Sequence, residues 1–214
     1  MESLDPVEIR VLGCLLEKQQ TTPDAYPLTL NSLRLACNQS TNRDPVVDYD
    51  EATIRAAIDK LSRRGWVRLA SGPGSRVAKY RHLLDDALGL APDERALLCV
   101  LMLRGPQTLG ELKQRSERLH SFPDLASVED ALERLTAREL GRWIERRPGQ
   151  KEARYGHLLQ DDDLAGIKEV ERSQGPRPTP QPEQDDLSGE VALLRDEVRA
   201  LRDDVAALRA ELGA

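Results

Sequence analysis

The side chains in this chain that could do chemistry are three histidines, three cysteines and a set of arginines. An enzyme would need a nucleophile beside a base, an acid–base pair, a metal cluster or a phosphate-binding loop. Cys14, Cys37 and Cys99 are an odd number, no two stand in Cys-x-x-Cys spacing, and each falls within an apolar helical pattern. They read as free, small hydrophobes in a reducing compartment. His82 and His157 recur at equivalent places in two related stretches, which points to structural roles, and His120 stands apart. No His, Cys, Asp and Glu residues share a metal-ligand spacing. Neither Gly72-Pro73-Gly74 nor Gly105-Pro106 forms a phosphate loop. The expectation is a protein that is not an enzyme and carries no cofactor or metal.

The arginines tell more. Between Asp50 and Gly65, Ile54, Ala57, Ile58 and Leu61 make an apolar stripe, and the opposite side carries Glu51, Arg55, Asp59 and Ser62, with Arg63 and Arg64 at the end. A helix of this kind can lie in the major groove, where arginine pairs with guanine. Beyond it, Arg68, Arg76 and Lys79 flank a turn and can hold phosphates. Arg43 stands in a loop dense in amides and hydroxyls, where Asn38 is expected to cap the preceding helix in the left-handed conformation and Asp44-Pro45 to set a turn. Arg43, Arg55, Arg63, Arg64, Arg76 and Lys79 are therefore the candidate nucleic-acid contacts. The acids Glu51 and Asp59 on the same face leave a solvated, non-binding surface open as the alternative.

These residues need elements to position them, and the chain spells the same set twice. Arg10–Leu16 (RVLGCLL) matches Arg95–Leu101 (RALLCVL), Leu28-Thr29-Leu30 matches Gln107-Thr108-Leu109, and Tyr80–Leu84 (YRHLL) matches Tyr155–Leu159 (YGHLL). Each copy reads helix, helix, helix, hairpin. The first helix opens at Asp5-Pro6-Val7-Glu8, an N-cap with proline next and glutamate third, and keeps Val11, Leu12, Leu15 and Leu16 at helical spacing. The second begins at Thr29, and its counterpart has Thr108 and Glu111 as a capping box. Trp66–Leu69 and Arg76–Tyr80 around Ser71-Gly72-Pro73-Gly74 read as a hairpin, as do the segments around Pro148-Gly149. Three helices and a β-hairpin are the winged-helix plan, a relative of helix-turn-helix. The expected fold is mainly α with small β-hairpin wings (α+β), with winged-helix domains at residues 1–88 and 89–172. The third helix of the second copy shows Glu129, Asp130 and Glu133, so a protein partner suits this copy at least as well as DNA.

Residues 173–186 are proline-rich and read as an extended spacer. Over residues 187–214, Leu187, Val191, Leu194, Val198, Leu201, Val205, Leu208 and Leu212 alternate spacings of four and three. This is a heptad seam, and valine at a with leucine at d favours a parallel pair. A homodimer held by Val191, Leu194, Val198, Leu201, Val205 and Leu208 is expected; a helix docking on its own domains is the alternative.

The net charge of −6 over 214 residues shows no strongly basic segment, which speaks against nonspecific nucleic-acid binding. An acidic start with no basic, apolar leader and no apolar run of membrane length implies a cytoplasmic protein that does not enter a membrane. Seven aromatic residues are too few for a single-strand stacking platform.

Tyr26–Asn31 (YPLTLN), Cys37–Pro45 (CNQSTNRDP), Leu103–Leu112 (LRGPQTLGEL) and Pro148–Tyr155 (PGQKEARY) resemble the signature of the YceH-like family of bacterial proteins. The resemblance runs from about Leu4 to Leu159. It implies tandem winged-helix domains and no assigned biochemical function. This chain has Ser40-Thr41 where the pattern leads us to expect a lysine before a serine, which takes a positive charge out of that loop. The resulting expectation is a dimeric, DNA-binding regulator that engages double-stranded DNA. Its rival is a scaffold whose winged helices bind protein partners.

Overall fold

The computed structural model describes residues 3–71, 77–146 and 152–160. Arg76, the tip of each hairpin, the proline-rich spacer and the whole heptad seam lie outside the described residues. The chain divides into Met1–Glu169 and Val170–Ala214, and everything below concerns the first unit.

The protein is α+β, with seven α-helices and two small antiparallel sheets among the described residues. Helix α1 (Pro6–Thr21) starts as its sequence requires. The Asp5 carboxylate accepts from the Val7 and Glu8 N–H groups, and Glu8 accepts from the Asp5 N–H at 2.8 Å. A single 3-10 turn leads to β1 (Leu28–Thr29), then α2 (Leu30–Cys37) capped by Thr29, and α3 (Glu51–Arg63) capped by Asp50. Strands β2 (Val67–Leu69) and β3 (Lys79–His82) form the first hairpin, and β1 pairs with the far side of β3 to give the order β1-β3-β2. In register, Val67 faces His82, and Leu28 faces Tyr80.

A short helix α4 (Leu84–Leu88), ended by Gly89 at φ +57°, leads into the second half. There α5 (Pro92–Arg104), α6 (Leu109–Ser116), α7 (Leu125–Ala137), β4 (Gly141–Ile144) and β5 (Arg154–His157) repeat the order of the first half. The expected capping box at Thr108 and Glu111 is present. The third strand of this sheet is reduced to one bridge between Gln107 and Tyr155.

The two halves share one continuous hydrophobic core. Helix α1 packs on α2 and α3 on one side and on α5 on another; α5 in turn packs on α6 and α7. Each is thus enclosed all round, which explains why Glu8–Leu16 and Ala96–Leu103 are buried without interruption rather than in a stripe. Gly13 permits this approach, because a Cβ there would lie 2.8 Å from the Leu103 Cδ2 atom. The halves are also tied by backbone hydrogen bonds, with Leu4 N–H donating to Leu159 O and Asp44 N–H to Leu103 O, both at 2.9 Å.

Candidate functional site

Helix α3 carries the face on which the sequence placed its contacts. Ile54, Ala57, Ile58 and Leu61 are buried, and Glu51, Arg55, Asp59, Ser62 and Arg63 are exposed. Arg55 and Arg63 project from this face without an ion-pair partner among the described residues. Arg64 differs: it is half-buried and donates to the Ser3 carbonyl at 3.0 Å. Arg68 and Lys79 are exposed on the adjoining strands.

Arg43 is not on this surface. Its side chain is fully buried, and all five of its N–H donors are used. Two go to the Glu17 carboxylate at 3.0 and 2.6 Å, one to Gln39, one to the Ala36 carbonyl and one to the Asn42 carbonyl. Burial alone would lower its pKa, but the Glu17 carboxylate outweighs that and raises it above the ordinary arginine range. Arg43 therefore staples the 38–45 loop to α1 and has no donor left for a phosphate.

Asn38 also departs from expectation. It ends α2 at φ −93°, and the left-handed residue is Asn42 at φ +58°. The Asn38 side-chain amide donates to the Tyr49 carbonyl and its oxygen accepts from the Tyr49 N–H, both at 2.9 Å. A short polar side chain tolerates the left-handed region at either position, so which of the two adopts it is decided by the loop's path around Arg43.

The three thiols are free and buried. A hydrogen bond with Cys14 pushes the Cys37 thiol well above the usual range, and burial does the same for Cys99. His82 is buried, with Nε2 2.7 Å from the Gln19 Oε1 atom and Nδ1 accepting from the Leu84 N–H. Burial pushes its pKa down to about 4. His157 reaches about 4 as well, through burial and then Arg142, but its buried Nδ1 atom has no hydrogen-bond partner among the described residues. No group of three or more His, Cys, Asp or Glu side chains among the described residues is placed to hold a metal ion. No described helix is long and apolar enough to cross a membrane.

A cleft of about 640 Å³ opens where the halves meet. From the first half come the start of α1 with Arg10 and the loop with Asn42 and Pro45. The end of α5, the Gly105-Pro106 turn, Arg115 of α6 and the β4–β5 hairpin with Arg154 and His157 come from the second. Arg10 donates to the Cys37 and Pro45 carbonyls at 3.1 and 2.6 Å. Arg154 donates to Glu111 and to the Pro106 carbonyl, both at 2.9 Å, and Arg115 lies 3.6 Å from the same Glu111. Arg115 also hydrogen-bonds Gln107, and Arg104 hydrogen-bonds Asn42. Sequence reading by element order missed this site, because its residues come from five separate segments. The signal was nevertheless there: the polar stretches Cys37–Pro45, Leu103–Leu112 and the end of Pro148–Tyr155 all reach this cleft.

Comparison with known proteins agrees with the resemblance read from those stretches. Residues 4–150 match the family model described as "Protein of unknown function, DUF480". The chain is 55% identical over 161 residues to a UPF0502 protein of Pelobacter propionicus, covering 74% of this chain and 73% of that one. It is 45% identical over 197 residues to a UPF0502 protein of Geobacter sulfurreducens (89% and 90% covered) and 46% identical over 197 residues to one of Shewanella woodyi (87% and 90% covered). With the model covering well over half of its length and relatives of 45–55% identity matched over 73–90% of theirs, this chain belongs to the DUF480 (UPF0502) family of bacterial proteins.

Proposed function

We propose that this protein is a non-enzymatic, cytoplasmic DNA-binding regulator built from two winged-helix domains, in which the first half reads duplex DNA. One observation carries the reading. Helix α3 buries one stripe and turns Arg55 and Arg63 outward, and the hairpin that follows it directly presents Arg68 and Lys79. In this arrangement α3 enters the major groove while the hairpin rests on the phosphates, with Arg76 as a further contact. Two such units joined through residues 187–214 would read two half-sites, and the heptad seam supplies the dimer contact.

The experiment is retention of fragmented host genomic DNA by the full-length protein at moderate salt, followed by sequencing. A shared site, lost in the Arg55→Ala/Arg63→Ala double variant with the fold intact, is expected. Binding through phosphates must also weaken steeply as salt rises. Retention that is unchanged in the double variant overturns the assignment.

A second reading concerns the second half alone. Trp143 of β4 is 55% exposed and pairs in register with Tyr155, whose hydroxyl feels the charges of Glu129 and Glu133 on α7. An exposed tryptophan next to acids suits a protein partner rather than a phosphate backbone. A partner captured by the wild type and lost on Trp143→Ala, with DNA retention unaltered, would establish this role.

A further inference from the structure

We propose that the cleft between the two halves is a binding site for a small organic anion bearing at least two phosphate or carboxylate groups. The proposal stands apart from DNA reading by α3 and uses none of its residues.

The charge around the cleft is lopsided. Arg10, Arg115 and Arg154 all line it, yet Arg115 and Arg154 share one carboxylate, Glu111, which also accepts from the Thr108 N–H. Arg10 is buried and, among the described residues, is satisfied by two backbone carbonyls, which supply hydrogen bonds but no countercharge. Among the described residues, Asp44 is the other carboxylate of the lining. Positive charge held in a partly enclosed space with so little compensation attracts anions, and forked guanidinium groups select phosphate or carboxylate oxygens.

Shape argues for a small ligand. A volume of about 640 Å³ lies within the range of small-molecule sites, roughly 300–1,000 Å³. The lining mixes these arginines with Ile9, Met102 and Ile144, so an organic body can rest on apolar surface while its charged groups meet the guanidinium forks. A duplex is too wide to enter such a cavity and would touch only its rim. His157 adds a third observation. Its Nδ1 atom is buried at the cleft wall without a partner among the described residues, and such an atom is normally satisfied in a finished site. Because Arg10 comes from the first half and Arg115, Arg154 and His157 from the second, a bound anion would bridge the halves. It would therefore stabilise their packing as well as fill the site.

The test is calorimetric titration and thermal unfolding of the full-length protein with pyrophosphate, ADP and citrate. Sodium chloride of matched ionic strength is the control. One saturable site per chain and a rise in Tm beyond the control are expected for at least one of them. Tighter binding of pyrophosphate or ADP assigns a phosphorylated ligand, and tighter binding of citrate a polycarboxylate; either supports the site. Arg115→Ala and Arg154→Ala should each weaken binding by about tenfold or more, whereas Arg55→Ala leaves it unchanged. If Arg154→Ala does not fold, Arg154→Gln keeps a donor for the Pro106 carbonyl and removes the charge. The proposal is overturned if no anion exceeds the salt control, or if binding survives in folded Arg115→Ala and Arg154→Ala. It is also overturned if those variants abolish DNA retention while no small anion binds, since the cleft would then belong to the DNA surface.

Discussion

The first and second halves carry the same helices in the same order, yet their surfaces and interiors have diverged. Helix α3 shows arginines among its exposed acids, whereas α7 shows Glu129, Asp130 and Glu133. The first hairpin is completed by β1 into three strands, whereas the second has only the Gln107–Tyr155 bridge beside it. His82 uses both ring nitrogens, whereas the equivalent His157 leaves one without a partner among the described residues. The first half also has a polar loop, held in place by Arg43, that reaches over to close the cleft. The repeated residues are those that build the helices and their packing; the residues that could recognise something are those that differ.

The largest break in this comparison should come at Arg43. Arg43→Ala takes from Glu17 its main partner, leaving Lys18 at 3.7 Å, and strips the buried Ala36 carbonyl of its side-chain donor, at an expected cost of about 3 kcal/mol in urea unfolding. Arg55→Ala, on the exposed face, should stay within about 0.5 kcal/mol of the wild type. Equal effects of the two would refute the structural role given to Arg43.

Acid comes next. Both His82 and His157 are lowered to about 4, below their ordinary 6.5, so the unfolded chain takes up the proton first. Their contribution to stability is complete above about pH 6.5 and is lost as pH falls toward 4. At pH 5 each histidine should account for a loss of about 2 kcal/mol. Replacing either one by Gln should remove its share of the slope between pH 6.5 and 5; an unaltered slope in both variants would count against their burial as neutral rings.

Two glycines give the finer contrast. Gly13→Val drives a side chain into Leu103 where α1 meets α5, and should lower stability by about 1–3 kcal/mol. Gly110, within α6, has open space around its would-be Cβ, so Gly110→Ala should raise stability by about 0.5–1 kcal/mol. A Gly13→Val protein as stable as the wild type would mean that α1 and α5 do not pack as described.

What the sequence determined by itself is local. The caps at Asp5, Thr29, Asp50 and Thr108 need only a side-chain oxygen within reach of an N–H two or three residues on; Asp5 and Thr108 were legible as caps, and Thr29 and Asp50 as the points where helices begin. The buried stripe of α3 and the two hairpins were legible for the same reason, since a period of 3.6 or of 2 shows within a few residues. What only the tertiary structure decided depends on partners far apart in the chain. Nothing within Pro6–Thr21 says that its second apolar side is covered by α5, 85 residues further on, because an apolar surface is complementary to any other. Arg43 looked like a surface arginine until Glu17 and three carbonyl or amide oxygens were seen to surround it. The cleft is the plainest case: its arginines are scattered from Arg10 to Arg154, and packing of the two halves alone gathers their charge in one place.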